Sequence, residues 1–177
     1  LGKVGNDTFG KLLAGTLDQA GISTRGLVMA EDVFTTLAFV TLDETGDREF
    51  SFARKPGADI LLRKEDVTEE DIDRTRMLHA GSVSLSDNPC REAMQFAMEI
   101  AHGKEKLVSF DINYRNMIWH DIDKCKKEVE KVLPYVDLVF ADLKIADSKK
   151  HKEYTGQPNE RILENLKRLS EAGTDII

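Results

Sequence analysis

Three polar residues with the chemistry of a binding site follow an apolar run near the middle of the chain. The run ends at Val108, and Asp111, Asn113 and Arg115 then come at every second position. Side chains alternate across a strand, so this spacing aims the three polar groups to one side, where a buried strand leaves the core. An arginine there can form forked hydrogen bonds to a phosphate or carboxylate. Asp111 would hold a cation or orient the arginine, and Asn113 would donate to a ligand oxygen.

A purely structural interpretation of the same stretch is also open. Asp111 can pair with Arg115 and hold the loop in place without binding anything. Trp119, at the end of the stretch SFDINYRNMIW, is more typical of a core side chain than of a site residue.

A second candidate lies in the stretch FARKPGAD, which begins at Phe52. Arg54 and Lys55 come just before a turn at Pro56 and Gly57. Two cations in that position suit an anionic or hydroxyl-rich ligand, and a solvated hairpin end is the alternative. The histidines lack the partner spacing of metal ligands or of a catalytic base; they are His79, His102, His120 and His151.

Strands and helices alternate regularly around these candidates. Predicted strands are MLHAG, LVSFD, VDLVFA and TDII. Predicted helices, taken from apolar stripes and capping residues, run from Asp7 to Gly21, Asn88 to Gly103, Ile122 to Leu133 and Pro158 to Ala172. This order is typical of right-handed βαβ units, so we expect an α/β fold of three layers, a mainly parallel sheet with helices on both faces. Asp111 then falls at the carboxyl end of a strand, where open α/β sheets bind ligands.

One stretch, FTTLAFVTLDETGDREFSFAR, breaks the alternation and predicts a β-hairpin. Its two strands flank the turn DETGD, in which Gly46 is free to take a positive φ. Neither face of the hairpin is polar, and two strands alone are rarely stable. The stretch therefore predicts a β-lid over residues 34–59, lying off a core made of residues 1–33 and 60–177. An edge hairpin packed on the core is the alternative that the pattern leaves equally open.

The composition indicates a globular protein of ordinary domain size. The 177 residues are 41% hydrophobic and 32% charged, which provides apolar material for a core and argues against disorder. The net charge of -7 argues against nucleic-acid binding, which depends on clustered Lys and Arg. No apolar run reaches membrane-spanning length, so no membrane association is expected. Cys90 and Cys125 lack metal-ligand spacing and are typical of reduced thiols in a cytoplasmic protein.

Both ends of the chain indicate a piece of something longer. The first residues resemble the end of an apolar strand without an initiator Met, and the last residues, GTDII, resemble a strand just begun. Domains rarely end inside a core strand, so we expect a central fragment that is incomplete at both ends.

Several of these stretches together resemble the ribokinase-like (PfkB) carbohydrate kinases, most closely the fructokinase and 2-keto-3-deoxygluconate kinase branch. KVGNDTFGKLL resembles the family's G-x-D-x-x-G segment, and the predicted hairpin with its exit RKPGAD resembles the lid and its R-x-P-x-A-D motif. HAGSVSL with PCREA resembles the strand and helix that follow. SFDINYRNMIW resembles the D-P-N-x-R-x-x-x-W motif, with Ile112 where Pro is usual. The likeness covers essentially the whole chain.

The resemblance implies an enzyme that transfers the γ-phosphoryl group of ATP to a sugar hydroxyl, with Mg²⁺. It implies that Phe52 and Arg54 reach the sugar from the lid and that Arg115 lies beside the sugar or the transferred phosphoryl group. Asp111 and Asn113 would organise that region. Such roles fit phosphoryl transfer, which depends mainly on positioning and on cations at the developing charge. Lids of this family often form dimers, so a homodimer through the lid is expected as well.

Two departures from the family pattern limit what this chain is expected to do alone. The acidic N-x-x-E segment that serves the metal is replaced by ADLKIADSKKHKEYTG, which leaves Asp142 as the candidate near Mg²⁺ by position only. The catalytic base and most of the nucleotide site are expected beyond Ile177, so we expect no phosphorylation by the 177-residue chain. The alternatives are a 2-keto-3-deoxygluconate kinase, whose acidic substrate suits two arginines, and a non-catalytic sugar-binding or interaction module.

Overall fold

The elements of the fold follow the chain order expected from the sequence. The computed structural model describes residues 1–44, 46, 48–173 and 175–177. Its strands are β1 (Gly2–Gly5), β2 (Leu27–Ala30), β3 (Leu37–Leu42), β4 (Arg48–Ala53), β5 (Met77–Gly81), β6 (Leu107–Asp111), β7 (Leu138–Phe140) and β8 (Asp175–Ile176). Its α-helices are α1 (Thr8–Gln19), α2 (Glu69–Asp73), α3 (Cys90–Gly103), α4 (Asn116–Trp119), α5 (Ile122–Val132), α6 (Ser148–Thr155) and α7 (Glu160–Glu171).

The main sheet is parallel and has the strand order β5-β6-β7-β8. Each strand pairs in parallel with the next one along the chain, and a helix connects each pair, as βαβ units require. Strands β1 and β2 form a separate parallel pair. The predicted class, a mixed α/β fold with a mainly parallel sheet, is therefore confirmed.

The two faces of the main sheet differ in burial. On one face, Val108, Phe110 and Val139 are buried, and the hydrophobic core joins the first two to apolar residues of α3 and α5. On the other face, Met77 is 42% exposed and Leu107 is 53% exposed. The expectation of helices against the sheet is thus met by α3 and α5 on the first face, while the second face presents apolar side chains to solvent.

The start of α1 shows why the G-x-D-x-x-G segment has its spacing. The Asp7 carboxylate caps the helix by accepting hydrogen bonds from the backbone N–H groups of Phe9 and Gly10, each at 2.9 Å. A Cβ atom added to Gly10 would lie 1.9 Å from the carbonyl oxygen of Gly5, so α1 packs against β1 only with glycine there. Asp7, the first residue of the predicted helix, is therefore its N-cap, and α1 itself begins at Thr8.

The predicted hairpin forms a sheet of its own. Strands β3 and β4 are antiparallel, and within the described residues they pair only with each other. The exposed large apolar side chains of the hairpin are Phe39, Val40, Leu42 and Phe50. In the predicted turn DETGD, Gly46 has φ 88°, whereas Thr45 and Asp47 lie outside the described residues.

Four elements and one cap differ from the sequence-based expectation. Strand β2 and helices α2, α4 and α6 were not predicted. Helix α6 has the polar sequence SKKHKEYT and shows no apolar stripe. Asn88 was expected to cap α3, but the helix begins at Cys90, and the Asn88 amide donates to Glu92 at 2.7 Å instead. Within the described ranges, no helix is long and apolar enough to span a membrane.

Candidate functional site

The stretch after β6 reaches a cavity, although not by strand alternation. Strand β6 ends at Asp111 and the next four residues have no regular structure; Asn113 has a left-handed backbone with φ 25°. The alternation argument for Asn113 and Arg115 is therefore wrong. All three predicted residues nevertheless line one cavity of about 1050 Å³, together with Asp142. A left-handed conformation in a residue other than glycine stores strain, a feature that clusters at functional sites.

The polar side chains of this stretch have no partners within the part of the chain that the structure describes. Asp111, Asn113 and Arg115 make no side-chain hydrogen bond or ion pair there. The structural alternative, an Asp111–Arg115 pair, is not formed. We refer to residues 111–115 as the polar corner, since this short stretch brings a carboxylate, an amide and a guanidinium to one cavity without internal compensation.

Two carboxylates in the cavity bear on the fit of a divalent cation. Mg²⁺ is usually held by one or two carboxylates together with substrate phosphates and waters. Asp111 presents a carboxylate without a partner among the described residues, and this suits such a site. Asp142 forms an ion pair with Lys144, which already neutralises its charge. In the same part of the chain no group of three or more acidic, His or Cys side chains gathers, so any Mg²⁺ would depend on ligands from a bound phosphate.

The opposite wall of the cavity is apolar and comes from α7. Ile162, Leu166 and Leu169 line it on that side, and Phe140 of β7 contributes from the sheet. The predicted apolar stripe of this helix therefore faces the cavity. The cavity thus has a polar end at the carboxyl edge of the sheet and an apolar wall beside it, the usual composition of a small-molecule site.

The segment between β7 and α7, which includes α6, is held by buried polar side chains. The Asn159 side chain is fully buried and donates to the carbonyl oxygens of Ile145 and Ala146 at 2.9 and 2.8 Å. Nδ1 of the buried His151 ring lies 2.6 Å from the carbonyl oxygen of Gln157. These contacts hold residues 145, 146 and 157, close in sequence to Asp142, which lines the cavity.

The two predicted lid residues lie elsewhere. Phe52 is half-buried and stacks on Phe50 with ring centroids 6.2 Å apart. Arg54 is bound to Asp59 through Nε and Nη2, both at 2.7 Å. Neither Phe52 nor Arg54 lines the cavity of the polar corner. The structure therefore brings Asp111, Asn113 and Arg115 together, and it separates Phe52 and Arg54 from them.

Arg54 and the polar corner still share one edge of the sheet. Nη1 of Arg54 donates to Ser86 Oγ at 3.2 Å, in the turn that follows β5. The last residue of β5, Gly81, pairs in register with Asp111, the last residue of β6. Both arginines thus stand beyond the carboxyl ends of neighbouring strands.

Sequence reasoning assigned no role to Asp59, Thr35 and Thr36, which together hold the base of the lid. Asp59 accepts from Arg54 and from the Thr36 hydroxyl. Thr35 is buried, and its backbone N–H and hydroxyl donate to Asp7 at 2.8 and 3.0 Å. The sequence signal was the Asp at the end of RKPGAD, five residues after Arg54. The Thr36 partner lies 23 residues away, too far to be seen in a local pattern.

The fold and the cavity define a class of protein before any comparison is made. An open parallel sheet, a polar cluster beyond its carboxyl ends and a separate two-stranded hairpin are typical of α/β domains that bind small polar ligands. Comparison with known proteins then gives the family. The sequence model of the pfkB family carbohydrate kinases matches residues 1–177, and the chain belongs to this family.

Relatives and solved structures agree with this membership. Fructokinase-1 of Zea mays is 40% identical over 139 residues, which is 78% of this chain and 43% of that protein. The fructokinase from Xylella fastidiosa with bound ATP superposes with a TM-score of 0.77 at 30% identity, covering 95% of this chain and 51% of that one. The fructokinase from Vibrio cholerae O395 in its fructose, ADP and calcium ion bound form superposes with a TM-score of 0.72 at 26% identity, covering 97% and 53%.

The chain is short beside these proteins. It spans 40% of the length of the probable fructokinase-3 of Arabidopsis thaliana, to which it is 39% identical over 139 residues. The share is about half for the solved structures, at 51% and 53%.

Proposed function

We propose that this chain is part of an ATP-dependent sugar kinase of the fructokinase type. The observation that carries the proposal is the polar corner, where Asp111, Asn113 and Arg115 line one cavity without partners among the described residues. Unpaired polar groups at the carboxyl edge of an α/β sheet favour a ligand that compensates them. Relatives named as fructokinases, one of them solved with ATP, support this ligand being a sugar and a nucleotide.

The proposed roles follow from charge and position. Arg115 stabilises the negative charge on the transferred phosphoryl group, and Asn113 donates a hydrogen bond to a sugar or phosphate oxygen. Asp111 would be a ligand for Mg²⁺, which when bound would supply positive charge to neutralise the phosphates. Asp142 is a second candidate for the metal, and it requires release of Lys144 first. Phe52 and Arg54 contact the sugar from the lid.

The remaining parts of the proposal concern organisation. Residues 34–59 act as the lid, and residues 1–33 and 60–177 belong to the core. The general base lies outside this chain, so the 177-residue chain alone does not phosphorylate sugar. The protein is cytoplasmic and binds neither nucleic acid nor membrane, in keeping with its net charge of -7.

A homodimer through the lid completes the proposal. The exposed Phe39, Val40, Leu42 and Phe50 give the hairpin apolar side chains on a two-stranded sheet. An isolated hairpin is marginal in water, and burial of this surface against a second copy would remove that exposure from solvent.

Two alternatives remain beside fructose phosphorylation. A 2-keto-3-deoxygluconate kinase is favoured by the presence of two arginines, Arg54 and Arg115, at one edge of the sheet, because its substrate carries a carboxylate. A non-catalytic sugar-binding module would use the same cavity without nucleotide.

A coupled assay of ADP release by the purified full-length protein that carries this chain tests the proposal. Turnover with fructose and ATP is expected, and turnover with 2-keto-3-deoxygluconate alone would move the assignment to that substrate. Calorimetric binding of fructose that is indifferent to nucleotide, without ADP release, would establish the non-catalytic module instead. The 177-residue chain serves as the control, and ADP release by it would contradict the placement of the base outside. Sedimentation equilibrium of the same preparation reports whether a dimer forms.

A further inference from the structure

A continuous set of polar contacts runs from the base of the lid into the body of the protein. It begins where the Thr36 hydroxyl, just before β3, donates to Asp59. Asp59 accepts a hydrogen bond from Arg54 Nε at 2.7 Å, and the same carboxylate oxygen forms an ion pair with Arg54 Nη2, also at 2.7 Å. The chain segments that enter and leave the lid are also joined directly, because the backbone N–H of Ala58 donates to the carbonyl oxygen of Phe34 at 2.9 Å. The base of the lid is thus a cross-linked unit.

Arg54 connects this unit to the turn after β5. Its Nη1 donates to Ser86 Oγ at 3.2 Å, and that hydroxyl in turn donates to the carbonyl oxygen of Val83 at 2.8 Å. Ser86 is 1% exposed, so its hydroxyl is committed to these two partners. Of the five N–H donors of an arginine, those on Nε and Nη1 make the two hydrogen bonds described here and Nη2 contacts the Asp59 carboxylate, so Arg54 keeps donors for a ligand.

Arg91 of α3 holds the same turn from the other side. Its Nε donates to the carbonyl oxygen of Leu85 at 2.7 Å, and its Nη2 donates to the carbonyl oxygen of Ser86 at 2.6 Å. Arg91 also lies 3.7 Å from the Glu128 carboxylate of α5. The turn that receives Arg54 is therefore fixed by a guanidinium that is itself paired with a second helix.

Three of the four charged side chains along this path are largely buried, whereas Asp59 is 40% exposed. The side chains of Arg54 and Glu128 are each 9% exposed. Burial, together with the charge of Asp59, raises the pKa of the neighbouring Cys90 thiol to about 11. Burial also acts to raise the pKa of Glu128, but the hydrogen bond from Lys131 and the charge of Arg91 outweigh it, and that pKa is lowered. A buried ion pair often brings little net stability, so stability alone does not account for the Arg91–Glu128 pair.

We infer that Arg91 and Glu128 are positioning residues for the lid, acting on Arg54 through the turn at Ser86. Glu128 orients Arg91, Arg91 fixes the carbonyl groups of the turn, and Ser86 Oγ then holds the guanidinium of Arg54 at the base of the lid. The part that concerns sugar binding rests on the proposed function. The mechanical part, in which a residue of α3 controls the lid base, does not.

Two substitutions test the path at different points. Arg91→Lys keeps the positive charge beside Glu128 but cannot donate to both carbonyl oxygens, since an ammonium lacks the planar fork. Ser86→Ala removes only the hydroxyl and leaves the Arg91–Glu128 pair intact, so it stays informative if the first variant folds poorly. Lys124→Met is the matched control, because Lys124 of α5 also reaches the segment before α3, at Asp87, but through an exposed pair at 3.5 Å.

The readout is amide hydrogen exchange at Ala58, measured on the full-length protein. Arg91→Lys and Ser86→Ala should each raise the exchange rate of the Ala58 amide roughly tenfold, the size of an ordinary coupling between sites, and Lys124→Met should leave it unchanged. The double variant should exceed neither single variant, because both break one path. An Ala58 exchange rate that stays at the wild-type value in both single variants would overturn the inference, as would an equal rise in Lys124→Met.

Kinetics of the same variants separate this inference from the proposed function. If wild type phosphorylates sugar, the KM for sugar should rise about fivefold in Ser86→Ala while the KM for ATP stays the same. A KM for sugar that stays at the wild-type value would overturn the claim that the path serves substrate binding. If wild type shows no kinase activity but Ala58 exchange responds as expected, the proposed function fails and the mechanical coupling stands.

Discussion

The base of the lid and the polar corner contain the same kinds of residue. Their polar side chains pair with one another at the base of the lid and have no partners among the described residues at the polar corner. At the base of the lid, the Arg54 side chain is 9% exposed, and its guanidinium is bound to Asp59 and Ser86. At the polar corner, Arg115 is exposed, lies near Asp111 along the chain, and pairs with no residue that the structure describes. Each region follows the end of a strand and carries an arginine and an aspartate.

The difference separates positioning from binding. Polar groups that satisfy one another in a buried network hold a geometry, and they have few donors left for a ligand. Polar groups that line a cavity without partners leave their hydrogen-bonding capacity for something that enters it. Removing a residue should therefore cost stability at the base of the lid and activity at the polar corner.

The largest effect is expected at the polar corner. Arg115→Ala should lower kcat for sugar phosphorylation about 10²- to 10³-fold, because a cation at the transferred phosphoryl group is lost. The melting temperature should stay within a degree or so of wild type, since the side chain is exposed and unpaired among the described residues. Coupled-assay kinetics and thermal unfolding of the full-length protein measure both.

Arg76→Ala is the matched control for Arg115→Ala, because Arg76 is also exposed and lies just before β5. Arg76→Ala should change neither kcat nor the melting temperature. A fall in melting temperature with unchanged kcat in Arg115→Ala would place Arg115 among structural residues and remove the contrast between the two regions.

A smaller effect, on stability, is expected at the base of the lid. A Cβ atom on Gly57 would lie 1.8 Å from Thr36 Oγ1 and 2.8 Å from an Asp59 carboxylate oxygen, so Gly57→Ala must push the network apart. We expect a loss of about 1–3 kcal/mol in the free energy of unfolding, the usual cost of overpacking. Urea unfolding of the two proteins measures it.

Gly15→Ala is the control, and it should change the free energy of unfolding in the opposite direction. Gly15 lies inside α1, and nothing stands within 4 Å of an added Cβ atom. Alanine there should raise the free energy of unfolding by roughly 0.5–1 kcal/mol through helix propensity. If Gly57→Ala also stabilises the protein, the base of the lid is not the close-packed network described above.

The smallest effect concerns pH at Asp7, which joins α1 to the lid. Backbone hydrogen bonds from Thr35 and Gly10 lower the pKa of Asp7. Its contribution to stability is therefore present above the ordinary aspartate pKa of about 4 and is lost as pH falls through the lower folded value. Asp7→Asn keeps a capping oxygen but no charge, so its deficit relative to wild type should shrink below about pH 4. Urea midpoints between pH 7 and pH 3 measure the difference, and a deficit that does not vary with pH would contradict the assignment.

Much of the fold was predictable because its signals are local. The apolar runs at β5, β6 and β7, the Asp7 cap and the apolar stripe of α7 each lie within a few consecutive residues. Helix α6 was missed since its stability does not come from an apolar stripe; it depends on the Asp147 cap and on the buried His151. The residues of the polar corner were predicted correctly as neighbours, but for the wrong reason. Polar residues at every second position were interpreted as one face of a strand, whereas the chain has no regular structure there.

The sequence by itself determined the order of strands and helices, the family and the residues of the polar corner, because each is written in neighbouring residues or in recurring motifs. It did not determine which of two similar arginines is free. Arg54 and Arg115 each lie close to an aspartate along the chain. Arg54 is nevertheless also held by Ser86, a residue 32 positions away, whereas Arg115 is held by no described residue. Only the tertiary structure decides this, because hydrogen bonds depend on distances of about 3 Å that the fold, not the spacing along the chain, brings about.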